Sequence, residues 1–313
     1  MSEQTKILRD NIEHLIDKLE LIEFKKDLLN NLKFNYSLTS YCDEDYSQLG
    51  NTRLGGLPDL PKDIDYPHNE NGYYNLLCQI NFSDFKEKLG TLPDKGILYV
   101  FNGHASENDF VTIFTETTER LVRKEPPQGL ENLNNEIRKR PYDGLKANFE
   151  IGYYFSGDTS KIYYHDAEKY HSLMKFNNSN KTFILGKAPD ACSIYTYLKG
   201  FDTLMHEVLL YKGIREDYQS QLKIYLQECN DAIMQKSSNI EYFKRKKEQL
   251  QKLDSEKETH FENYENVTCL IGLESLGKLG WMWGDLGFKN VYILNEDLER
   301  EDFDNLYVET YSS

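Results

Sequence analysis

The sequence is short of residues that would staple, anchor or break it. Its 313 residues hold five cysteines, two tryptophans and eight prolines. The cysteines stand at positions 42, 78, 192, 229 and 269, an odd number with no close-spaced pair. That excludes a disulfide framework and a zinc ribbon, both of which need paired thiols. No apolar run approaches the roughly 20 residues that span a bilayer as a helix. The opening MSEQTKILRDNIEHL lacks the apolar centre of a signal peptide. These absences point to a reducing, cytoplasmic compartment. Positive charge is scarce too: 37 Lys and Arg stand against 52 Asp and Glu, a formal net charge of −15. That balance disfavours general affinity for nucleic acid or anionic membranes. It suits solubility and would attract a basic protein partner.

Several catalytic motifs are present only in part. Gly272 to Lys278 has the glycine spacing of a phosphate-binding loop. Leu279 then replaces the Ser or Thr whose hydroxyl would hold magnesium. His206-Glu207 begins like a zinc-protease helix, but Leu210 stands where the second histidine ligand belongs. No Gly-x-Ser-x-Gly nucleophile elbow occurs. His165, Asp166 and His171 repeat no ligand spacing and read as surface side chains. Cys78 and Cys269 lie in apolar runs and read as small core residues. Cys42 adjoins acids, which raise rather than lower a thiol pKa. No metal and no cofactor is expected.

What is present centres on Arg53–Phe101. Gly55 and Gly56 admit backbone angles closed to other residues, and Pro58 and Pro61 fix their own. Gly55–Pro61 is therefore a rigid, non-helical crossing. Asn75–Phe82 and Gly96–Phe101 read as strands, joined through the turn Leu92-Pro93-Asp94-Lys95-Gly96. Residues 3–32 read as one long helix, with Leu8, Ile12, Leu15, Ile16, Leu19 and Ile22 at helical spacing and Ser2 as its cap. Phe34–Tyr41 reads as an edge strand and Asp43-Glu44-Asp45 as a solvated loop. Phe110–Phe114 and Glu119–Arg123 suggest a hairpin. Ile151–Phe155 and Lys161–Tyr164 suggest another around Gly157-Asp158. Two helices follow, one presenting Leu222, Tyr225, Leu226, Cys229 and Ile233, the other spanning roughly Ile240–Phe261. Val267–Leu273, Asn290–Leu294 and Tyr307–Thr310 close the sheet.

A shift of 191 residues places Cys78 on Cys269, Ile80 on Ile271, Asp94 on Asp285, Gly96 on Gly287 and Val100 on Val291. Residues 76–101 and 267–292 are thus expected to be copies of one strand–turn–strand unit.

The pieces Gly55-Gly56-Leu57-Pro58-Asp59-Leu60-Pro61, Cys78-Gln79-Ile80-Asn81 and Leu92-Pro93-Asp94-Lys95-Gly96-Ile97-Leu98-Tyr99 resemble the YwqG-like family, a group of bacterial proteins of undefined function. So do Trp283-Gly284-Asp285-Leu286-Gly287, Asp297-Leu298 and Asp302-Phe303. The likeness covers most of Arg53–Val308. It departs at Tyr66-Pro67, where the family has Trp-Pro, and at Ile271-Gly272-Leu273, where the family is more polar. The resemblance implies a fold but no chemistry.

The expected architecture is an α+β fold: a mostly antiparallel sheet of duplicated units, a long N-terminal helix and two helices before the C-terminal unit. Residues 1–33 form a helical arm and 34–313 one body. The best site constellation joins Trp281, Trp283 and Asp285 with Arg53, Gln79 and Asn81. There the indoles would form an aromatic wall and the polar groups would hold a small polar ligand, in a cleft between the two units. Turn and strand-end chemistry explains the same polar residues without a ligand. The leading functional expectation is a non-enzymatic cytoplasmic binding protein. Its concrete form is an immunity-type protein that neutralises a basic toxin through acids such as Asp43, Glu44 and Asp45. A small-ligand protein or enzyme is the alternative.

Overall fold

The computed structural model describes residues 2–103, 109–133, 143–156, 159–174, 182–187, 198, 215–263 and 266–311. The turn at Gly157-Asp158, Cys192 and His206-Glu207 lie outside the described residues. The chain divides into two compact units. One comprises 1–187, 268–293 and 297–313, and the other comprises 188–267 and 294–296.

The first unit opens with α1 (Glu3–Lys18) and α2 (Ile22–Asn31). Ser2 caps α1 by accepting a hydrogen bond from the Thr5 amide at 3.2 Å. The single helix expected over 3–32 is broken at Leu19–Leu21. Glu20 adopts φ 55°, its amide donates to Asp17 O, and the Leu21 amide donates to Ile16 O at 3.1 Å. This is a Schellman termination with glutamate in the left-handed position. It folds the chain back so that Ile12, Ile16, Leu21 and Leu28 bury together with Tyr153, Phe155 and Leu173.

Strands follow in order: β1 (Leu32–Asp43), β2 (Arg53–Gly55), β3 (Asp59–Pro61), β4 (His68–Asn69), β5 (Gly72–Tyr73), β6 (Asn75–Asn81), β7 (Ile97–Asn102), β8 (Phe110–Thr115), β9 (Leu121–Arg123) and β10 (Gly144–Phe155). Then come α3 (Ser160–His165), α4 (Ala167–Met174) and β11 (Phe183–Lys187). After the second unit's helices the chain resumes with β12 (Val267–Glu274) and β13 (Phe288–Leu294), and ends with β14 (Leu306–Tyr311). Lys161–Tyr164, expected as a strand, lies within α3. Ile162 is the buried side chain of that helix and packs with the cluster of α1 and α2.

Among the described residues, ten strands form one antiparallel sheet in the order β14-β13-β12-β11-β1-β10-β2-β6-β7-β8. β1 is therefore central, not the expected edge. It pairs with β10 from Leu32↔Phe155 to Asp43↔Leu145, with a bulge between Leu38 and Ser40. It meets β11 only at Tyr36 and Ser37. The order reads alike from both ends: β14, β13, β12 and β11 lead in to β1, as β8, β7, β6 and β2 lead in to β10. Residues 76–101 and 267–292 each run strand, 3-10 turn, strand. Burial pushes the Cys78 and Cys269 thiols up, offset in part by backbone hydrogen bonds at Val100 and Val291, which stand at the same 191-residue shift.

The main core gathers Leu54, Leu77, Phe82, Val100, Ile184, Ile271, Trp283, Val291 and Phe303. Each fully buried large apolar side chain contributes about 1.5–3 kcal/mol. A second apolar layer joins Leu60, Tyr66, Tyr99 and Phe101.

In the second unit, α5 (Arg215–Met234) and α6 (Ile240–Asn263) pack on each other. Leu222, Cys229 and Leu250 are buried there, and the Lys246 ammonium stands 5.4 Å from the Tyr225 ring centre. A last short helix, α7 (Asn295–Glu299), follows β13. Among the described residues, no helix is long and apolar enough to cross a membrane.

Candidate functional site

The crossing Gly55–Pro61 carries a largely buried ionic network. Asp59 and Arg53 are both 0 % exposed. Arg53 Nη2 donates to Asp59 Oδ2 at 2.5 Å and to Asn51, and Nη1 donates to Leu57 O at 2.6 Å. Asp59 Oδ2 also accepts from the Gly50 amide at 2.8 Å. Its Oδ1 accepts from Arg123 Nε at 3.0 Å. Gln79 bridges the crossing to the preceding loop: its Oε1 accepts from the Asp59 amide and its Nε2 donates to Asn51 O, both at 2.8 Å. The guanidinium groups of Arg53 and Arg123 both lie over the Tyr46 ring, at 5.2 and 4.6 Å from its centre. Burial raises the Tyr46 hydroxyl pKa, and the Leu57 amide that donates to it offsets part of that rise. Gly56 holds φ +76°, and a Cβ there would lie 2.8 Å from Gly144 Cα and against the Tyr46 hydroxyl. Only glycine fits this close approach.

The network accounts for three of the expected ligand groups. Arg53 and Gln79 spend their hydrogen bonds inside the protein. Asn81 donates to Gly50 O at 2.7 Å and caps the 3-10 turn Phe82–Asp84 by accepting from Ser83 N. The expected aromatic wall is also internal. Trp281 and Trp283 are 2 % and 0 % exposed, with ring centres 5.4 Å apart. They anchor the turn before β13 from within the core, leaving Met282, Asp285 and Leu286 exposed. A ligand could not reach the indoles, because the same apolar faces that suggested a wall are buried with Leu276, Leu279 and Val291.

The acidic loop is not uniformly solvated. Glu44 is buried at its side chain and lies 3.4 Å from Arg53 Nε. It also accepts from Asn51 Nδ2 at 2.7 Å. Asp45 closes a turn on Ser47, whose backbone and side-chain hydrogen bonds lower the Asp45 pKa. Asp43 pairs with Lys278 at 2.9 Å on the surface. Of the three, Asp43 and Asp45 are exposed.

Open space lies elsewhere, in a cleft of about 910 Å³ that the sequence did not single out. Its walls are one face of α1 (Ile7, Asn11), the loop Asp84–Glu87 and strand β10 from Lys146 to Ile151. Its floor is aromatic. Tyr36 stacks on Phe85 at 4.3 Å, and Phe85 meets Phe149 edge-on at 6.3 Å. The Tyr36 hydroxyl donates to Glu87 O. Its pKa is pushed up to about 12, first by burial and further by the Glu87 charge. Glu87 Oε2 is buried without a hydrogen-bond partner, and among the described residues no ion pair joins Glu87 to Lys86 or Lys146. The volume falls in the range of ligand-binding clefts. No group of three or more potential metal ligands occurs among the described residues.

Fold and cleft together define an α+β protein with a broad antiparallel sheet and a mixed polar and aromatic cleft over its centre. A family model described as domain of unknown function (DUF1963) matches residues 52–310, and the chain belongs to that family. The cleft draws on residues both before and within the matched span. No curated protein matches the chain.

Proposed function

We propose that this is a binding protein whose cleft receives a basic protein partner. The observation that carries the reading is the Glu87 carboxylate. One of its oxygens is sealed from water and has no donor, inside a cleft large enough for a ligand. The residue is half-buried and lines the cleft, so an incoming cation can supply the donor that this oxygen lacks. The formal charge of −15 would steer such a cation toward the molecule. Cys42, Cys78, Cys229 and Cys269 are unpaired thiols, in keeping with residence in a reducing cytoplasm. A basic toxin met by its immunity protein is one pairing of this chemistry. The YwqG-like resemblance implies no reaction, so the reading rests on the cleft. The small-ligand alternative built on Trp281, Trp283 and Asp285 is set aside, since both indoles are buried.

The test is the association rate of a basic partner isolated from the host. It is expected to fall as ionic strength rises. Glu87→Gln should weaken binding about tenfold, the scale of one charge-assisted hydrogen bond. An association rate indifferent to salt, with unchanged affinity for the variant, contradicts the reading.

A further inference from the structure

We propose that the free edge of β10 inside the cleft takes up an extended segment of the partner as an added strand, with a basic side chain of that segment meeting Glu87. This rests on the binding reading above and specifies its mode.

The carrier is the sheet's own pairing. β10 runs twelve residues and is paired with β1 along nearly all of one edge. Its other edge meets β2 only at Gly144, Leu145 and Lys146. The last bond there is the Ala147 amide to Thr52 O, at 3.2 Å. Beyond it, no strand neighbours this edge among the described residues. Alternate residues of an antiparallel strand direct their backbone groups to the same edge. Ala147 bonds toward β2, so Phe149 and Ile151 turn their N–H and C=O groups the same way. That is the stretch lining the cleft.

An unpaired strand edge is a template for another chain. Proteins usually blunt such edges with proline, bulges or very short strands. Residues 147–151 carry no proline, and the register shift opposite Asn148 and Phe149 adds its extra residue, Thr39, to β1 and not to β10. They are instead flanked by α1 and the Asp84–Glu87 loop, which line the same cleft. Strand addition draws affinity from main-chain hydrogen bonds and specificity from pockets for alternate side chains. Both are present. Tyr36 lies opposite Ile151 in the register, and with Phe85 and Phe149 it forms an apolar floor for one set of side chains. Glu87, with a carboxylate oxygen that has no hydrogen-bond partner, offers a counter-charge for a Lys or Arg, beside Glu150 on the same cleft.

The probe is a capped pentapeptide of alternating valine and threonine with a central arginine. It is added at millimolar concentration to the full chain while backbone amides are followed by NMR hydrogen exchange. The Phe149 and Ile151 amides should gain about tenfold protection, as expected for amides that acquire a ladder hydrogen bond. A version N-methylated at alternate backbone nitrogens should give none, because it cannot complete the ladder. Replacing the arginine by norleucine, or Glu87→Gln, should weaken binding about tenfold. If the peptide binds and N-methylation changes nothing, strand addition is wrong while the basic-partner reading stands. If binding is unchanged by both norleucine and Glu87→Gln, the basic-partner reading falls. Absence of binding and of protection at these two amides overturns the proposal.

Discussion

Asp59 meets no water, and its carboxylate is shared between Arg53 and Arg123. Removing one member of a buried ionic group is costly because it strands the others. Asp59→Asn should lower the unfolding free energy by about 3–5 kcal/mol, read from urea denaturation. Asp45→Asn, on the exposed turn at Ser47, should stay within about 0.5 kcal/mol of the parent. Equal effects at the two sites would mean that the network is not what fixes the crossing. Part of this was legible: the glycines and prolines of Gly55–Pro61 marked a rigid, non-helical crossing. The partner of Asp59 was not legible, since Arg123 arrives on β9 from far along the chain. The same limit hid the cleft. Glu87 and Phe149 are unremarkable in their own neighbourhoods and line one cleft only because the Asp84–Glu87 loop and β10 flank the same space.

Among the elements, strands were read well because alternation and glycine–proline punctuation are local signals. Asn75–Asn81, Ile97–Asn102 and Phe110–Thr115 lie close to where the pattern put them. The helix break at Glu20 left no such mark, because the left-handed position usually advertises itself with glycine. Here Ile16 and Leu21 hold the turn by burying together. Glu20→Gly should therefore raise stability by about 0.5–1 kcal/mol, since glycine adopts positive φ without penalty. The 3.6 Å pair between Glu20 and Lys169 is exposed and its loss small. A lower denaturation midpoint for the variant would contradict this account of the hairpin. Position of a strand within a sheet is also non-local. Phe34–Tyr41 alternates like an edge strand, yet it lies at the centre because β10 and β11 arrive on either side.

At the scale of the whole molecule, the interior draws on a composition of 23 tyrosines and 16 phenylalanines. Burial pushes Tyr36, Tyr153 and Tyr154 each up to about 12. In the unfolded chain a tyrosine ionises near pH 10. The folded state therefore holds these protons more tightly. The stability they contribute is complete below about pH 10 and is lost as pH rises through about 12. Tyrosinate absorbance at these positions should appear together with loss of circular dichroism, in an alkaline transition between those limits. Ionisation of all tyrosines near pH 10 with the fold intact would contradict the burial.

The acidic surface and the cleft make one functional account, and a photo-crosslinking residue tests it in host-cell extract. Lys86 stands exposed on the cleft wall and Lys252 on α6. With the crosslinker in place of Lys86, the account predicts an adduct with a protein segment that bears Lys or Arg, in a yield that falls as salt rises in the extract. The same group in place of Lys252 should give no such adduct. Equal adducts from both positions, or a Lys86 adduct indifferent to salt and lacking a basic segment, would contradict it.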